Sequence, residues 1–324
     1  MTCQIYEAGT LQEYTYVVVL SSYQGKLLLS RHQKRETWET QGGHVESGET
    51  PMEAAKRELY EESGATDFYI APLCDYCAGG LGGMVFQAVI HELGKMPNSE
   101  MAEVGTFPTL PDNVTYPDIT PVLFQFYKER EAATFPSVAV AKMMLEEAVE
   151  CNPGAWEMHS VHVANAARAV AGQCGGLDPD KAYVLGLLHD IGRRFGVSHL
   201  AHVYDGYHYL MELGYPEAAK VALSHSFNLQ KLDDYIGKFD VAKEKQEEIA
   251  ALLSGMTYDD YDYLIQLCDS IAKADGIVSL EERMNDVKGR YGYYPQEKWD
   301  RNIELKKYFE EKMGKELYQA CLKS

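Results

Sequence analysis

The sequence lacks the features of membrane-spanning, secreted and disulfide-stabilised proteins. No apolar run approaches the roughly 18 residues that a transmembrane helix needs, and no charged stretch followed by an apolar core opens the chain, as in a secretory leader. The seven cysteines are odd in number and scattered, which does not fit a disulfide framework. We therefore expect a cytoplasmic protein with reduced thiols and no membrane partner.

The sequence also lacks a basic segment. The net charge is −19, of which −10 falls in residues 1–135 and −9 in residues 136–324. Because a polyanion is repelled by such a chain, we predict that no nucleic-acid polymer is a partner, and action on RNA ends is disfavoured. An acidic protein that binds a small phosphorylated molecule must offset this repulsion locally, and divalent metals held by its own carboxylates do so.

The length of 324 residues is sufficient for two hydrophobic cores. Strand-like runs lie at 14–30, 68–71 and 84–91, whereas nearly everything from residue 138 onward has the apolar spacing of amphipathic helices. We predict an α+β domain over residues 1–133 and an all-α domain over residues 134–324. The helical extension from residue 281 has no chemical signature and is expected to cap the bundle or form a partner surface.

One helix in the first domain has clear boundaries in the sequence TPMEAAKRELYEESGA. Thr50 can cap it, Pro51 occupies its first position, Glu53 completes a capping box and Gly64 ends it.

On that helix three carboxylates share one face. Glu58, Glu61 and Glu62 stand at i, i+3 and i+4, and each like-charged pair destabilises a helix by roughly 0.2 to 0.5 kcal/mol. Two interpretations follow from the residues alone: a solvated acidic face, or a site in which a hard cation lies among the oxygens.

The surrounding pattern favours the cation. It reads Gly43-x5-Glu49-x7-Arg57-Glu58-Leu59-x-Glu61-Glu62-x-Gly64-Ala65 and resembles the Nudix box at every fixed position. Ala65 departs from the larger aliphatic residue usual at the last position, which concerns packing rather than chemistry. The resemblance covers about residues 12–130 and implies an α/β/α sandwich.

The same resemblance implies site residues and a reaction. Glu58, Glu61 and Glu62, with Gly43, would form the Mg²⁺ or Mn²⁺ site, and Arg57 would pair with Glu49 to orient the acidic cluster. The reaction would be metal-assisted hydrolysis of a diphosphate linkage in a nucleoside diphosphate derivative. A base outside the helix is often used in this family, and the candidates here are Glu100 and Glu103, against the alternative of loop surface.

A second set of polar residues interrupts the apolar helices of the second domain. His189 and Asp190 lie in the run GLLHDIGRR, His159 precedes an alanine-rich helical face, and Asp269 lies amid leucine and isoleucine. A buried aspartate without a partner costs several kcal/mol. Ligands from three helices can close around one divalent ion in a bundle core, which supplies that partner.

The order His159, His189-Asp190, Asp269 resembles the H…HD…D signature of HD-domain phosphohydrolases, over about residues 136–280. It implies that these four residues bind a divalent transition metal or Mg²⁺, that Asp190 belongs to the catalytic set, and that a phosphate ester, expected to be a phosphomonoester, is hydrolysed. His202 and His225 are candidates for a second metal or for substrate contact, the alternative being histidines of the helix surface.

Arg193 and Arg194 are candidates for binding a substrate phosphate, the alternative being surface arginines. His162, His199 and His208 are interpreted as bystanders.

These observations predict a bifunctional, metal-dependent phosphohydrolase that acts on nucleotides or related small phosphates. The alternative is that one domain is a nucleotide-binding sensor that regulates the other. A sensor would be expected to lack some of the acids of its motif, and both sets are complete here.

Overall fold

A computed structural model describes residues 2–97, 100–130 and 132–321. The chain divides into two compact units, residues 1–133 and residues 134–324, each with buried apolar clusters of its own. All seven cysteines are free thiols. Within the described residues, no helix is both long enough and apolar enough to span a membrane.

Strands dominate the first unit. Its described elements are β1 (Cys3–Tyr6), β2 (Tyr16–Tyr23), β3 (Lys26–His32), β4 (Gln41–His44), α1 (Pro51–Ser63), β5 (Ala65–Ala78), β6 (Leu81–Leu93), β7 (Met101–Phe107) and α2 (Thr120–Arg130).

These strands form one mixed sheet in the order β1-β5-β6-β2-β3-β7, with β4 paired to β2. Strands β2 and β6 run parallel, and the other pairs are antiparallel. The turn between β2 and β3 is formed by Gln24 and Gly25, whose φ angles are both positive. This left-handed backbone is the one that tight hairpins require.

The two helices cover opposite faces of the sheet. Leu29 of β3 packs in the core with Leu123 and Phe124 of α2. The next residue, Ser30, donates its hydroxyl to the carbonyl of Glu62 in α1 at 2.7 Å. Because successive side chains of a strand point to opposite faces, α1 and α2 must lie on different sides. This is the α/β/α sandwich that the sequence predicts.

The predicted boundaries of α1 are confirmed. Thr50 caps the helix and shares a capping box with Glu53, whose carboxylate accepts from the Thr50 N–H at 2.7 Å. The helix ends at Gly64, which has a φ of 76° and donates its N–H to the Tyr60 carbonyl. Local chemistry alone therefore fixes the length of the segment that carries the three glutamates.

Helices dominate the second unit. Its described elements are α3 (Val138–Cys151), α4 (Trp156–Ala171), α5 (Pro179–Leu188), a 3-10 helix (Ile191–Phe195), α6 (Leu200–Glu212), α7 (Pro216–Ser224), a 3-10 helix (Leu232–Asp234), α8 (Lys243–Gly255), α9 (Asp260–Asp269), β8 (Ala272–Lys273), β9 (Gly276–Ile277), α10 (Leu280–Tyr291), α11 (Gln296–Met313) and α12 (Leu317–Cys321). The sequence predicts an all-helical unit, and the short hairpin of β8 and β9 departs from that prediction.

Small residues bring α4 and α5 unusually close. A Cβ placed on Gly186 of α5 would lie 2.8 Å from the Cα of Ala164 in α4, so a larger residue at this position would separate the helices. The close approach places the ring of His159 on α4 5.2 Å from the ring of His189, which follows α5. The alanine-rich face of α4 thus has a direct role in assembling the polar cluster.

Candidate functional site

Three carboxylates project from α1 into one groove of the first unit. Glu62 accepts the N–H of Gly42 at 2.9 Å, and burial raises the pKa of Glu62 to about 8 against the lowering effect of that N–H. Burial also raises the pKa of Glu58. Burial thus disfavours the charged forms of Glu58 and Glu62, and Glu61 lies beside them. A bound cation would stabilise the ionised forms of this group.

Gly43 lies directly against this cluster. A Cβ at position 43 would lie 2.1 Å from Oε1 and 2.5 Å from Cδ of Glu58. The backbone of β4 and the Glu58 carboxylate are therefore in a contact that only glycine permits. Gly43 thus adjoins a predicted ligand, and its own membership of the metal site stays a prediction.

Arg57 holds the acidic residues of the motif together. Its Nε and Nη2 donate to the two oxygens of Glu49 at 2.7 and 2.9 Å, and its Nη1 donates to Glu58 at 2.7 Å and to Glu61 at 3.3 Å. Nη2 also donates to the His44 carbonyl at 3.1 Å. A guanidinium has donors enough to connect all these acceptors in one plane, which a lysine could not do.

The groove around the glutamates has a volume of about 680 Å³. It is lined by His32, Arg35, Glu39, Thr40, Gly42, His44, Glu58, Glu61, Glu62, Pro97, Glu100, Met101 and Tyr116. Its volume falls in the range of sites that take a drug-sized ligand, roughly 300–1,000 Å³.

The two candidate bases, Glu100 and Glu103, lie in different surroundings. Glu100 lines the groove and forms a 2.9 Å contact with the Nε2 of His32, which also lines it. Glu103 instead accepts from the Nε of Arg31 at 2.8 Å and is not among the residues that line the groove. Of the two, only Glu100 faces the same space as the three glutamates.

In the second unit the predicted ligands come from helix ends. His159 lies in the first turn of α4, His189 and Asp190 follow the last residue of α5, and Asp269 is the last residue of α9. His225 directly follows α7, and His202 lies in the first turn of α6. Residues at the ends of helices are not restricted to one helix face, so side chains from the ends of five helices can converge here.

The side chains meet around Asp190. Nε2 of His202 lies 3.1 Å and Nε2 of His225 lies 3.6 Å from Oδ1 of Asp190, while Nε2 of His189 lies 3.9 Å from Oδ2. Nε2 of His159 lies 3.0 Å from Oδ1 of Asp269. Among the described residues, two groups place their ligand atoms within 4.8 Å of one another: His159, His189 and Asp190, and Asp190, His202 and His225. Asp190 belongs to both groups.

Backbone carbonyls fix the orientation of three of these imidazoles. Nδ1 of His189 lies 2.7 Å from the carbonyl of Gly186, and Nδ1 of His225 lies 2.9 Å from that of Ala222. Nδ1 of His202 makes the same contact with the His199 carbonyl. Because a carbonyl only accepts, each Nδ1 carries the proton, and in the neutral ring each Nε2 presents a lone pair. This is the usual arrangement of metal-binding histidines.

Three buried atoms at the centre of the cluster have no hydrogen-bond partner among the described residues: Nε2 of His189, Oδ1 of Asp190 and Nε2 of His202. In the neutral His202 ring, Nε2 and the facing Oδ1 of Asp190 are both acceptors, 3.1 Å apart. Two facing lone pairs repel each other unless a cation lies between them or a proton is shared. The cluster therefore has the donor set and the unsatisfied atoms that fit a divalent metal.

The electrostatics of the cluster keep three of its side chains, His189, His225 and Asp190, in their metal-binding forms. Burial lowers the pKa of His189, and it lowers the pKa of His225 to about 3, so both are neutral near pH 7. Burial by itself raises the pKa of Asp190, but the positive charge of Arg193 opposes it most strongly, and the pKa of Asp190 lies well below its usual value. Neutral imidazoles and ionised carboxylates are the species that bind metals.

The two arginines after the HD pair make different contacts. Nε of Arg193 donates to Oδ2 of Asp190 at 2.6 Å, beside the cluster. Nη2 of Arg194 donates to both oxygens of Glu147 at 2.8 Å, and its guanidinium lies over the ring of Tyr209 at 4.6 Å. Arg194 is therefore held in a buried ion pair, whereas Arg193 orients a member of the cluster.

The three histidines interpreted as bystanders are not in either ligand group. Nε2 of His208 lies 3.1 Å from Glu248, and the ring of His199 lies 6.2 Å from that of Tyr291. His162 lies on α4, one turn after His159.

Family models match both parts of the chain. The model of the NUDIX domain matches residues 11–78, and the model of the HD domain matches residues 156–274. The chain joins a Nudix domain to an HD domain. Both are hydrolase families, so the chain is a hydrolase, and both families are metal-dependent.

No curated protein matches the chain. Solved structures similar to it include the Bacillus subtilis pyrophosphohydrolase BsRppH, with 26% identity over 39% of this chain and 90% of the other, at a TM-score of 0.34. A NUDIX-family hydrolase from Clostridium perfringens shares 19% identity over 36% of this chain and 96% of the other, at a TM-score of 0.31. The NUDIX domain of Shewanella oneidensis NrtR, in complex with ADP ribose, shares 17% identity over 39% of this chain and 93% of the other, at a TM-score of 0.30.

Sequence reasoning missed one wall of the HD site. A cavity of about 110 Å³ is lined by two residues of the polar cluster, His225 and Asp269, and a further part of its wall comes from the C-terminal extension. That part consists of Arg283, Met284, Val287, Tyr294 and Lys298. The extension has no motif that points to this position, because its residues join the site only through the packing of α10 and α11.

Proposed function

We propose that the chain is a bifunctional, metal-dependent phosphohydrolase. The Nudix domain cleaves a diphosphate linkage in a nucleoside diphosphate derivative, and the HD domain hydrolyses a phosphate ester, most simply a phosphomonoester, of a nucleotide or related small molecule. The domain boundaries proposed for the two activities are 1–133 and 134–324.

In the Nudix domain, Glu58, Glu61 and Glu62 hold Mg²⁺ or Mn²⁺ in this proposal. The ion supplies Lewis-acid chemistry at the diphosphate. Arg57 keeps Glu58 and Glu61 in position through its contacts at 2.7 and 3.3 Å. Glu100, which shares the groove and contacts His32, accepts a proton from the attacking water.

In the HD domain, His159, His189, Asp190 and Asp269 would hold a divalent transition metal or Mg²⁺, and His202 and His225 are the residues that would hold a second ion. Bound ions would supply Lewis-acid chemistry at the phosphate ester and activate water. Mixed imidazole and carboxylate ligands accept several of these metals. Arg193 keeps the Asp190 carboxylate ionised and fixes its rotation by its 2.6 Å hydrogen bond.

One observation carries the HD assignment: two groups of three ligand atoms share the buried carboxylate of Asp190, and three atoms at their centre have no hydrogen-bond partner among the described residues. A purely structural cluster would pair these atoms, because an unpaired buried polar group costs about 1–3 kcal/mol. Metal binding accounts for all three atoms at once.

The test is a hydrolysis screen over a nucleotide panel with Mg²⁺ and Mn²⁺, in which phosphate, nucleotide and diphosphate products are scored separately. Glu61→Gln is expected to abolish diphosphate cleavage and leave phosphomonoester hydrolysis intact, whereas Asp190→Asn is expected to do the reverse and to lower the metal content of the purified protein. Ligand binding without turnover at one site would replace this proposal with the regulatory sensor.

A further inference from the structure

The C-terminal extension of this chain closes one side of the HD cavity. Two of its residues that line the cavity are basic: Arg283 on α10 and Lys298 on α11. His225 and Asp269, which belong to the metal-binding cluster of the proposed function, line the same cavity. A group bound in the cavity would therefore adjoin both the cluster and the extension.

Lys298 is not available to such a group. Its ammonium donates to the carbonyls of Ser226 and Asp234 at 2.6 and 3.0 Å and lies 3.5 Å from Oδ1 of Asp234. An ammonium has three donors: the two carbonyls take two of them, and the charge of the group is paired with the Asp234 carboxylate. Lys298 thus fastens α11 to the loop after α7.

Arg283 differs from Lys298 in this respect. Among the described residues, its ion pairing is a single contact from Nη1 to Oδ2 of Asp286 at 3.3 Å, and Asp286 also pairs with Arg290 at 3.1 Å. A guanidinium has five N–H donors, so most of those on Arg283 remain for a ligand. The Arg283 side chain is 18% exposed, which strengthens its hydrogen bonds relative to those of a surface arginine.

Tyr294 offers a second donor to the same cavity. Its hydroxyl oxygen accepts from Nδ2 of Asn302 at 2.8 Å, so its own proton is directed elsewhere. The amide of Asn302 is itself fixed, because its Oδ1 accepts from Asn228 at 2.5 Å and from the hydroxyl of Ser270 at 3.3 Å. Burial raises the pKa of Tyr294, which keeps the phenol protonated.

The dimensions of the cavity limit what it can enclose. At about 110 Å³ it is well below the roughly 300–1,000 Å³ of sites that bury a drug-sized ligand. A nucleoside cannot be enclosed in it, whereas a phosphate group can. The remainder of a larger substrate would extend outward.

From these observations we infer that Arg283 and Tyr294 form an anion-binding wall that holds the phosphate of the HD substrate against the metal-binding cluster. This inference rests on the proposed function of the HD domain and adds that the C-terminal extension determines its specificity. The substrate is a phosphomonoester whose phosphate enters the cavity first. Arg283 and Tyr294 bind that phosphate in the ground state as well as during reaction, so their loss affects KM more than kcat.

The test uses the full chain, with inorganic phosphate as the probe. Arg283→Gln is expected to raise KM for phosphomonoesters, and to weaken competitive inhibition by inorganic phosphate, by about tenfold to a hundredfold, the range for a lost hydrogen bond to a charged group. Arg283→Lys is expected to recover part of this loss and Tyr294→Phe to show a smaller one. The matched control is Arg290→Gln. Arg290 is the other arginine paired to Asp286, but it does not line the cavity.

Two measurements separate this inference from the proposed function. Metal content by elemental analysis is expected to be unchanged in Arg283→Gln, and phosphate binding is also measured directly by calorimetry, which needs no turnover. If Asp190→Asn abolishes hydrolysis while Arg283→Gln matches Arg290→Gln in KM and phosphate affinity, the wall assignment is wrong and the proposed function stands. If no phosphomonoester is hydrolysed but Arg283→Gln weakens phosphate binding and Arg290→Gln does not, the anion site stands without the reaction.

Discussion

Gly192 and Gly206 pack backbone against backbone. A Cβ on Gly192 would lie 2.5 Å from the nitrogen of Gly206 and 1.9 Å from the carbonyl oxygen of His202. The turn after the HD pair and the helix α6 therefore touch without an intervening side chain. This contact brings His202 to Asp190, because His202 lies on the same turn of α6 that Gly192 meets.

Gly192→Ala is expected to separate α6 from this turn and to move His202 away from Asp190. The blocking atoms are backbone, so they cannot rotate aside, and the stability of the HD domain should fall by about 1–3 kcal/mol or more. Thermal unfolding and metal content measure the two effects. Gly289→Ala in α10 is the control, because a Cβ there meets no atom within 4 Å. Normal metal content in Gly192→Ala would contradict this account of how His202 is positioned.

Gly43→Ala is expected to weaken Mg²⁺ binding at the Nudix site with little change in the unfolding temperature. The added Cβ would meet the Glu58 carboxylate, which lies at the far end of a flexible side chain and can move away. A displaced ligand should lower metal affinity by about tenfold to a hundredfold, as a disturbed supporting contact does. The Mg²⁺ dependence of diphosphate hydrolysis gives the affinity. An unchanged Mg²⁺ dependence would show that Glu58 is not a ligand.

Glu62 should make the stability of the metal-free Nudix domain depend on pH. Burial raises its pKa to about 8 in the folded state, compared with about 4.3 in an unfolded chain. A raised carboxyl pKa means that the folded state binds the proton more tightly, so stability falls as pH rises between these values and is level outside them. In EDTA, Glu62→Gln should therefore raise the unfolding temperature above pH 8 and change it little at pH 4.

For the wild-type chain, Mg²⁺ should remove the loss of stability that accompanies rising pH, because a cation stabilises the ionised Glu62 carboxylate. Glu46→Gln, at an exposed position in the same domain, controls for the loss of one negative charge. A stabilisation by Glu62→Gln that is equal at pH 4 and above pH 8 would refute the raised pKa.

We expect Arg194 to stabilise the HD domain and not to bind the substrate phosphate. Its guanidinium and the Glu147 carboxylate are 10% and 4% exposed, and breaking one half of such a buried pair costs about 3–5 kcal/mol. Arg194→Met should therefore destabilise the HD domain, and the double variant Glu147→Leu with Arg194→Met should recover most of the loss. Calorimetric unfolding measures this, with Nudix hydrolysis as the internal control. A rise in KM for the HD substrate without destabilisation would favour the phosphate-binding role instead.

The sequence by itself determined what depends on local geometry. The helix α1 is bounded by Thr50 and Gly64, and i, i+3 and i+4 spacing places its glutamates on one face whatever the rest of the fold does. The adjacency of His189 and Asp190 is likewise a property of the chain itself. Motif resemblance supplied the partners of these residues, His159 and Asp269, and the family models match both regions.

Only the tertiary structure decided which of the remaining candidates meet. His202 and His225 reach Asp190 while His199 and His208 do not, because helix ends and glycine contacts, not spacing along the chain, bring side chains together across the bundle. Glu100 faces the glutamates and Glu103 faces Arg31 for the same reason. The wall formed by α10, α11 and the segment between them could not be predicted, since Arg283 and Tyr294 acquire a chemical context only when the bundle closes around them.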